Sequence, residues 1–133
     1  MRLVTAFFAK YADTLRDDTV AVIGGCFNTI MVPSLPMPVT MTVVIQVLFD
    51  PDECGREHVF RPRGVIGPNG PLTGELPSGH TFTPTIARRM RHGILSSVLH
   101  FVGVPFEVEG TYRFIFSVDD NDIGTLELDV LQG

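Results

Sequence analysis

The stretch "VTMTVVIQVLF", residues 39–49, constrains the fold most strongly, because apolar side chains occupy every second position. Polar residues, Thr40, Thr42 and Gln46, fall between them. Successive side chains of a β-strand point to opposite faces, so a period of two predicts a long strand with one face in a core. The alternating apolar residues are Val39, Met41, Val43, Ile45, Val47 and Phe49.

The same alternation recurs in "TYRFIFSV", residues 111–118, and in "TLELDV", residues 125–130. Weaker strand patterns, separated by turn residues, fill most of the remaining chain. We therefore expect an all-β protein, an antiparallel β-sandwich of about eight or nine strands, immunoglobulin-like or jelly-roll-like. Residues 1–133 are expected to form a single domain with at most one short helix, near residues 86–92. The weaker strand candidates are residues 2–11, 19–23, 26–32, 57–66, 80–86 and 94–102.

Glycine and proline mark the connections between these strands. The pair Gly24-Gly25 predicts a tight turn or a bulge. Proline cannot donate to a β-ladder, so the prolines of residues 33–38 predict an extended connector. The longest predicted loop covers residues 67–79. A loop of this length on a rigid sandwich is either a mobile tip or a binding element.

Charge, hydropathy and cysteine content limit the function classes. A net charge of −5 disfavours a nucleic-acid binder, whose affinity depends on neutralising phosphates. Lys10 interrupts the apolar start of the chain, which is better explained as a strand than as a signal peptide. No apolar run approaches the roughly 18 residues of a membrane span. Cys26 and Cys54 allow one disulfide at most, and we expect a cytoplasmic protein, or a particle-associated one if it is viral.

The acidic stretch "SVDDNDIGTLELDV" raises the question of a calcium site. Counted from Asp119, an EF-hand loop would have its glycine at the right place, Gly124. However, Ile123 and Val130 stand where an oxygen ligand and the bidentate glutamate are required. The flanking segments are also strands rather than helices. We therefore expect the turn of a β-hairpin at residues 119–124, with a looser interstrand Ca²⁺ site as the alternative.

The segment "ARRMRHG" carries the only concentrated positive charge, at Arg88, Arg89, Arg91 and His92. One interpretation is a site for an anion or an acidic partner. The other, which an acidic domain favours, is a solvated turn whose arginines pair with nearby carboxylates. Arg88, Arg89 and Arg91 are kept as candidate interaction residues.

No group of residues in the sequence predicts catalysis, a cofactor or a resident metal. Cys54 and His58 supply only two of the three or four protein ligands that zinc requires. The chain has no G-x-S-x-G elbow and no phosphate-binding glycine loop. Acid–base catalysis would require folding to gather the glutamates Glu75, Glu107 and Glu109. We therefore expect a protein that is not an enzyme.

The order of these features resembles that of a family of small bacterial proteins of unknown function. The resemblance rests on "YA" before the first turn, a "GG" turn, a "P-x-P" connector and the late "G-T-Y-R-F-x-F-x-V-D". The sequence departs from that pattern at Asp17-Asp18, where Gly-Lys is usual, and at Val108-Glu109, where a proline is usual. The resemblance implies a β-sandwich without an established catalytic site. The matching positions are Tyr11, Ala12, Gly24, Gly25, Pro36, Pro38, Gly110, Tyr112 and Phe114.

Three positions suggest what such a sandwich does. Val44, Leu48 and Ile115 are apolar at positions that the alternation directs outwards. A strand apolar on both faces lies either between two layers or against a partner. We therefore expect a non-catalytic protein-interaction or assembly module, self-associating as a homo-oligomer, or a component of a larger particle. The alternative is a small-ligand or glycan-binding module that uses the 67–79 loop and the 119–124 turn, although the sequence has no Trp for stacking on a sugar.

Overall fold

The computed structural model of the protein describes residues 1–17, 19–86 and 90–133. These residues form ten β-strands and one short 3₁₀ turn, Pro51–Glu53. The all-β expectation is therefore confirmed. The strands are β1 (Arg2–Thr14), β2 (Val20–Phe27), β3 (Thr29–Val32), β4 (Met37–Phe49), β5 (His58–Gly67), β6 (Gly70–Pro71), β7 (His80–Phe82), β8 (Gly93–Phe106), β9 (Gly110–Val118) and β10 (Asn121–Gln132).

The strands form two sheets that pack face to face as a β-sandwich. The four-stranded sheet has the order β2-β1-β4-β8, and all of its neighbours are antiparallel. The six-stranded sheet has the order β3-β10-β9-β5-β6, and β7 also pairs with β5. Only β3 departs from the antiparallel pattern among the described strands, because it runs parallel to β10. The short β3 lies at an open edge of its sheet.

The main core lies between the two sheets and follows the predicted parity of β9. Phe114 and Phe116 are completely buried, whereas Arg113 between them is exposed. Phe114 is the centre of an aromatic group, since its ring lies 5.0 Å from that of Phe8 and 5.1 Å from that of Phe101, both edge to face. Edge-to-face pairs add to the stabilisation that apolar burial provides. The late phenylalanines therefore join the two sheets.

A second, smaller cluster of buried side chains lies on the outer face of the four-stranded sheet. Val44 and Val98 are directly opposite each other on β4 and β8, and both are buried outside the main core. Ala12 and Val20, from the two strands of the β1–β2 hairpin, pack in the same cluster. The hairpin approaches β8 although β4 lies between them in the sheet. The hairpin therefore folds over this outer face and covers it.

The strongest motif of the family resemblance, "G-T-Y", locks the start of β9. The Tyr112 hydroxyl donates to the Val108 carbonyl at 2.7 Å and accepts the Val108 N–H at 3.3 Å. This back-bond to a residue just upstream is the tyrosine corner of β-sandwiches. Gly110 has φ +145°, and a Cβ added to it would lie 2.4 Å from Cγ of Pro68. Glycine is required there because the chain has a backbone conformation that L-residues avoid.

Some sequence expectations need correction or refinement. Gly24-Gly25 forms a bulge within β2 rather than a turn, because the register against β1 shifts there and Cys26 has φ 65°. The expected helix near residues 86–92 falls partly on residues 87–89, which lie outside the described residues. Residues 90–92 are not helical, and the one helical turn described is Pro51–Glu53. A turn of this kind is too short to leave a helical period in the sequence.

Candidate functional site

The most distinctive feature of the fold is a vacant strand position beside β4. The pairing of β1 with β4 ends at Ala9 and Thr42, because β1 then turns away with the hairpin that covers the outer face. The first part of β4, residues 37–41, still pairs with β8 on its other side. On the side that β1 has left, the described residues provide no strand partner for this segment. Its backbone groups there are available to another chain.

An apolar groove of about 480 Å³ follows this vacant position. Its two walls are β3, with residues 29–32, and the free part of β4. Its floor includes Val32 and Met41, which belong to the main core, so the groove opens directly onto the interior between the sheets. Ala9 and Lys10 of β1 lie at one end. We call this feature the β3–β4 groove.

Methionine is concentrated in the β3–β4 groove. Met31, Met37 and Met41 are three of the five methionines of the chain, and all line it. Met31 is 69% exposed on the edge strand β3. A thioether side chain is flexible and polarisable, so methionine-rich surfaces adapt to different apolar partners. The lining is therefore suited to binding side chains rather than to holding one rigid ligand.

On the opposite side of the sandwich, the 67–79 loop closes the seam between β5 and β8, that is, the gap between the edges of the two sheets. Leu72 packs on the main core, and its N–H donates to the Val65 carbonyl of β5 at 2.8 Å. Residues 72–76 and Phe101 of β8 line the same small cavity of about 20 Å³. The loop is therefore a cover for one seam. The two sides of the sandwich therefore differ, because the gap between β5 and β8 is covered and the gap between β3 and β4 is open.

The acidic stretch forms a tight hairpin turn, as the sequence predicted. Val118 pairs with Asn121, and the two residues between them, Asp119 and Asp120, both have positive φ, 49° and 65°. This is the backbone of a type I′ turn, in which aspartate is among the tolerated residues.

The two aspartates of that turn and Asp122, which follows it in β10, each have a basic partner on β5. Asp119 binds His58, Asp120 binds Arg61, and Asp122 binds Arg63 at 2.6 Å. These three contacts neutralise the carboxylates that a calcium ion would need. Among the described residues, carboxylates with metal-like spacing occur only at Asp50, Asp52 and Glu53. Glu53 there is engaged by the amino group of Met1 at 2.6 Å, and the cluster is not proposed as a site.

His58 is the one buried histidine with a shifted pKa. Hydrogen bonding to Asp119 raises the pKa of His58, although burial acts in the opposite direction. Nδ1 lies 2.6 Å from Oδ2 of Asp119, and Nε2 lies 2.7 Å from the Glu53 carbonyl. A carboxylate and a carbonyl only accept, so both contacts are satisfied when the ring is protonated, which is why they favour the charged form. The N–H of Val59 is the main cause of the lowered pKa of Asp119.

The candidate interaction residues are not brought together by the fold. Val44 is only 4% exposed, because the β1–β2 hairpin covers it, so its outward apolar side chain requires no partner. Leu48 and Ile115 are half-buried and lie on different sheets. Arg91 is exposed, whereas Arg88 and Arg89 lie outside the described residues. A contact of Leu48, Ile115 or the arginines with another protein stays a prediction.

The cleft at the base of the 67–79 loop is not shared with the 119–124 turn. A cleft of about 140 Å³ lies between residues 67–73 and the end of β8, with Tyr112 in its wall. Tyr112 lies near the start of β9, and the Asp119-Asp120 turn follows the far end of that strand. The loop also borders a second hollow of about 290 Å³, with Arg63 and Ile115 in its lining, and a ligand site beside the loop stays a prediction. Both cysteines are free, and Cys26 is exposed on β2.

The sequence of the chain matches a family model over nearly its whole length. The model of a family of unknown function, DUF6941, covers residues 4–131 of the 133 residues, so the chain belongs to this family. The resemblance noted in the sequence to an uncharacterised family is thereby confirmed. No curated protein and no solved structure gives a significant match. In the described part of the chain, no helix is long and apolar enough to cross a membrane.

Proposed function

We propose that this protein is a non-catalytic interaction module that binds an extended segment of another protein chain in the β3–β4 groove. The observation that carries the proposal is the vacant strand position beside residues 37–41 of β4. An extended peptide is the ligand whose own backbone can pair with the N–H and C=O groups that alternate residues direct to this open edge, as in other cases of strand addition. Five residues of strand extend about 17 Å, enough for one short segment.

The side chains of the groove favour the same occupant. In an extended segment, alternate side chains point to the same face, so one set enters the groove while the other remains in solvent. Met31 and Met37 offer adaptable walls for that inward set, and Met41 and Val32 offer a buried floor. A bound segment would remove the apolar floor of the groove from contact with water, which favours binding.

A library of displayed, unstructured dodecapeptides is a suitable probe, because the natural partner is unidentified. We expect selected peptides to compete for one site and to slow amide hydrogen exchange at residues 39–41. Met31→Glu should weaken their binding at least tenfold, since it places a charge in the apolar wall. Met90→Glu is the matched control, because Met90 is 61% exposed and does not line the groove. Selection of no peptide, or protection of a different surface, would overturn the proposal.

Self-association is the second candidate, and a separate hollow supports it. Leu48 lies in a hollow of about 420 Å³ whose walls carry Arg2, His92 and the acidic Asp50. Ile94, directly opposite Leu48 on β8, is 57% exposed. Because the hollow has both signs of charge, two copies related by a two-fold axis can place Arg2 of one against Asp50 of the other.

Sedimentation equilibrium over a range of concentrations tests this second candidate. A mass at twice 14.6 kDa is expected at high concentration, and Ile94→Glu should return it to the monomer mass. Val59→Glu, at another exposed strand position, is the control. A monomer mass at all concentrations would rule out self-association and would leave the groove proposal unchanged.

A further inference from the structure

One charged side chain stands in the β3–β4 groove, at the end where β1 leaves the sheet. Lys10 follows Ala9, the last residue of β1 that pairs with β4, and both line the groove. Lys10 is the only lysine of the chain. Apart from it, the groove is lined by apolar side chains and the two threonines Thr29 and Thr40.

The backbone holds the stem of Lys10 in place. Gly24 of β2 has φ +64°, and a Cβ added to it would lie 2.9 Å from Cδ and 3.1 Å from Cγ of Lys10. The methylene stem therefore packs over the glycine, and the bulge of β2 leaves the space that the stem occupies. A stem supported in this way carries its ammonium group at the rim of the groove.

The ammonium group of Lys10 has no carboxylate partner in the part of the chain described. The ion pairs of those residues use His58, Arg61, Arg63, Arg113 and the terminal amino group instead. This is notable because the chain has an excess of acids, with a net charge of −5. Lys10 is exposed while the groove is empty, and a bound segment would displace water from its ammonium group and so strengthen its attraction to an anion.

We infer that the segment bound in the groove carries an acidic group, an Asp or Glu side chain or a terminal carboxylate, at the end that lies against Lys10. The inference rests on the proposed function and adds the chemistry of the partner. The segment is thus extended, apolar at alternate positions and acidic at one end. Charge complementarity at Lys10 also fixes its direction along β4, because the opposite direction would place the acid against apolar side chains.

The experiment compares binding of one selected peptide with binding of its amide analogue, in which each acidic group is replaced by the corresponding amide. We expect the amide analogue to bind at least fivefold more weakly to the natural chain. Lys10→Glu should weaken binding of the acidic peptide at least tenfold, because it replaces attraction by repulsion. Lys10→Arg keeps the positive charge and should change the affinity by no more than about threefold. Arg16→Glu, an exposed charge reversal on the hairpin that changes the net charge equally, should have little effect.

A charge exchange separates loss of binding from loss of folding. A peptide whose acid is replaced by lysine should bind Lys10→Glu more tightly than it binds the natural chain. If peptides protect residues 39–41 but Lys10→Glu behaves like Arg16→Glu, the acidic partner is wrong and the groove proposal stands. If palmitate binds saturably in a Lys10-dependent way while no peptide is retained, a lipid acid occupies the groove, and both proposals fail.

Discussion

His58 and Asp119 are 61 residues apart in sequence, yet Nδ1 of the histidine lies 2.6 Å from Oδ2 of the aspartate. Through its other nitrogen, His58 also binds the Glu53 carbonyl of the 3₁₀ turn. The same Asp119 accepts the Val59 N–H at 2.9 Å. The His58 side chain therefore connects the 3₁₀ turn, the start of β5 and the β9–β10 turn.

This tie predicts a loss of stability at alkaline pH. The folded pKa of His58 is raised, so its contribution is complete below the unfolded value, about 6.5, and is lost as the pH rises through the folded value. We expect a loss on the order of 1 kcal/mol, because a hydrogen bond to a charged group disappears and Asp119 is 46% exposed. Urea unfolding between pH 6 and pH 9 measures it.

The variant His58→Gln should be less stable at pH 6 and should show a flatter pH dependence over that range. His92→Gln, which changes an exposed histidine, should retain the pH dependence of the natural chain. An equal slope in His58→Gln and the natural chain would show that another group causes the effect.

The two turn residues should respond differently to replacement by glycine. Asp119 and Asp120 both have positive φ, and glycine relieves about 1 kcal/mol of backbone strain at such a position. Asp120→Gly loses only an exposed ion pair with Arg61, so its stability should be unchanged or slightly higher. Asp119→Gly loses its contacts with His58 and Val59 and should be less stable. Thermal unfolding of both variants checks this, and equal shifts would contradict it.

The register of β9 predicts which residues of this strand are most sensitive to replacement by alanine. Phe114→Ala or Phe116→Ala should cost about 3–5 kcal/mol, because each removes a ring from a fully packed core. Arg113→Ala should cost no more than about 0.5–1 kcal/mol, since it removes only an exposed ion pair with Glu127. Chemical denaturation of the three variants tests the parity. A larger loss in Arg113→Ala would mean a register shifted by one residue.

The strands could be predicted from sequence because each has its own local signal. The period of two in residues 39–49 and 111–118 identified β4 and β9 and the inward side of each. The vacant position beside β4 left no such signal, since it depends on where β1 ends its pairing at Ala9. The three methionines of the groove come from two strands, β3 and β4, and no spacing in the sequence marks them as a group. Their grouping arises when β3 joins the opposite sheet.

Val44 shows the limit of the alternation rule in another way. Its outward direction was predicted correctly, but the sequence did not show what covers it. The covering residues, Ala12 and Val20, come from a hairpin that must first fold back over the sheet. The pattern within one strand carries no information on where a distant hairpin packs. The same pattern is therefore expected for a position under the chain's own hairpin and for one in an interface.

A substitution at Val44 tests whether the hairpin or another molecule covers this position. Val44→Ala removes two methylene equivalents from the small outer cluster and should cost about 1–2 kcal/mol, from lost burial and the cavity that remains. Because the hairpin covers the site within one chain, the sedimentation mass should be unchanged. Val102→Ala, the same change at a position of β8 that is 72% exposed, should cost little stability and is the matched control. A Val44→Ala variant with unchanged stability and a lower oligomeric mass would show that another molecule, rather than the hairpin, covers this position.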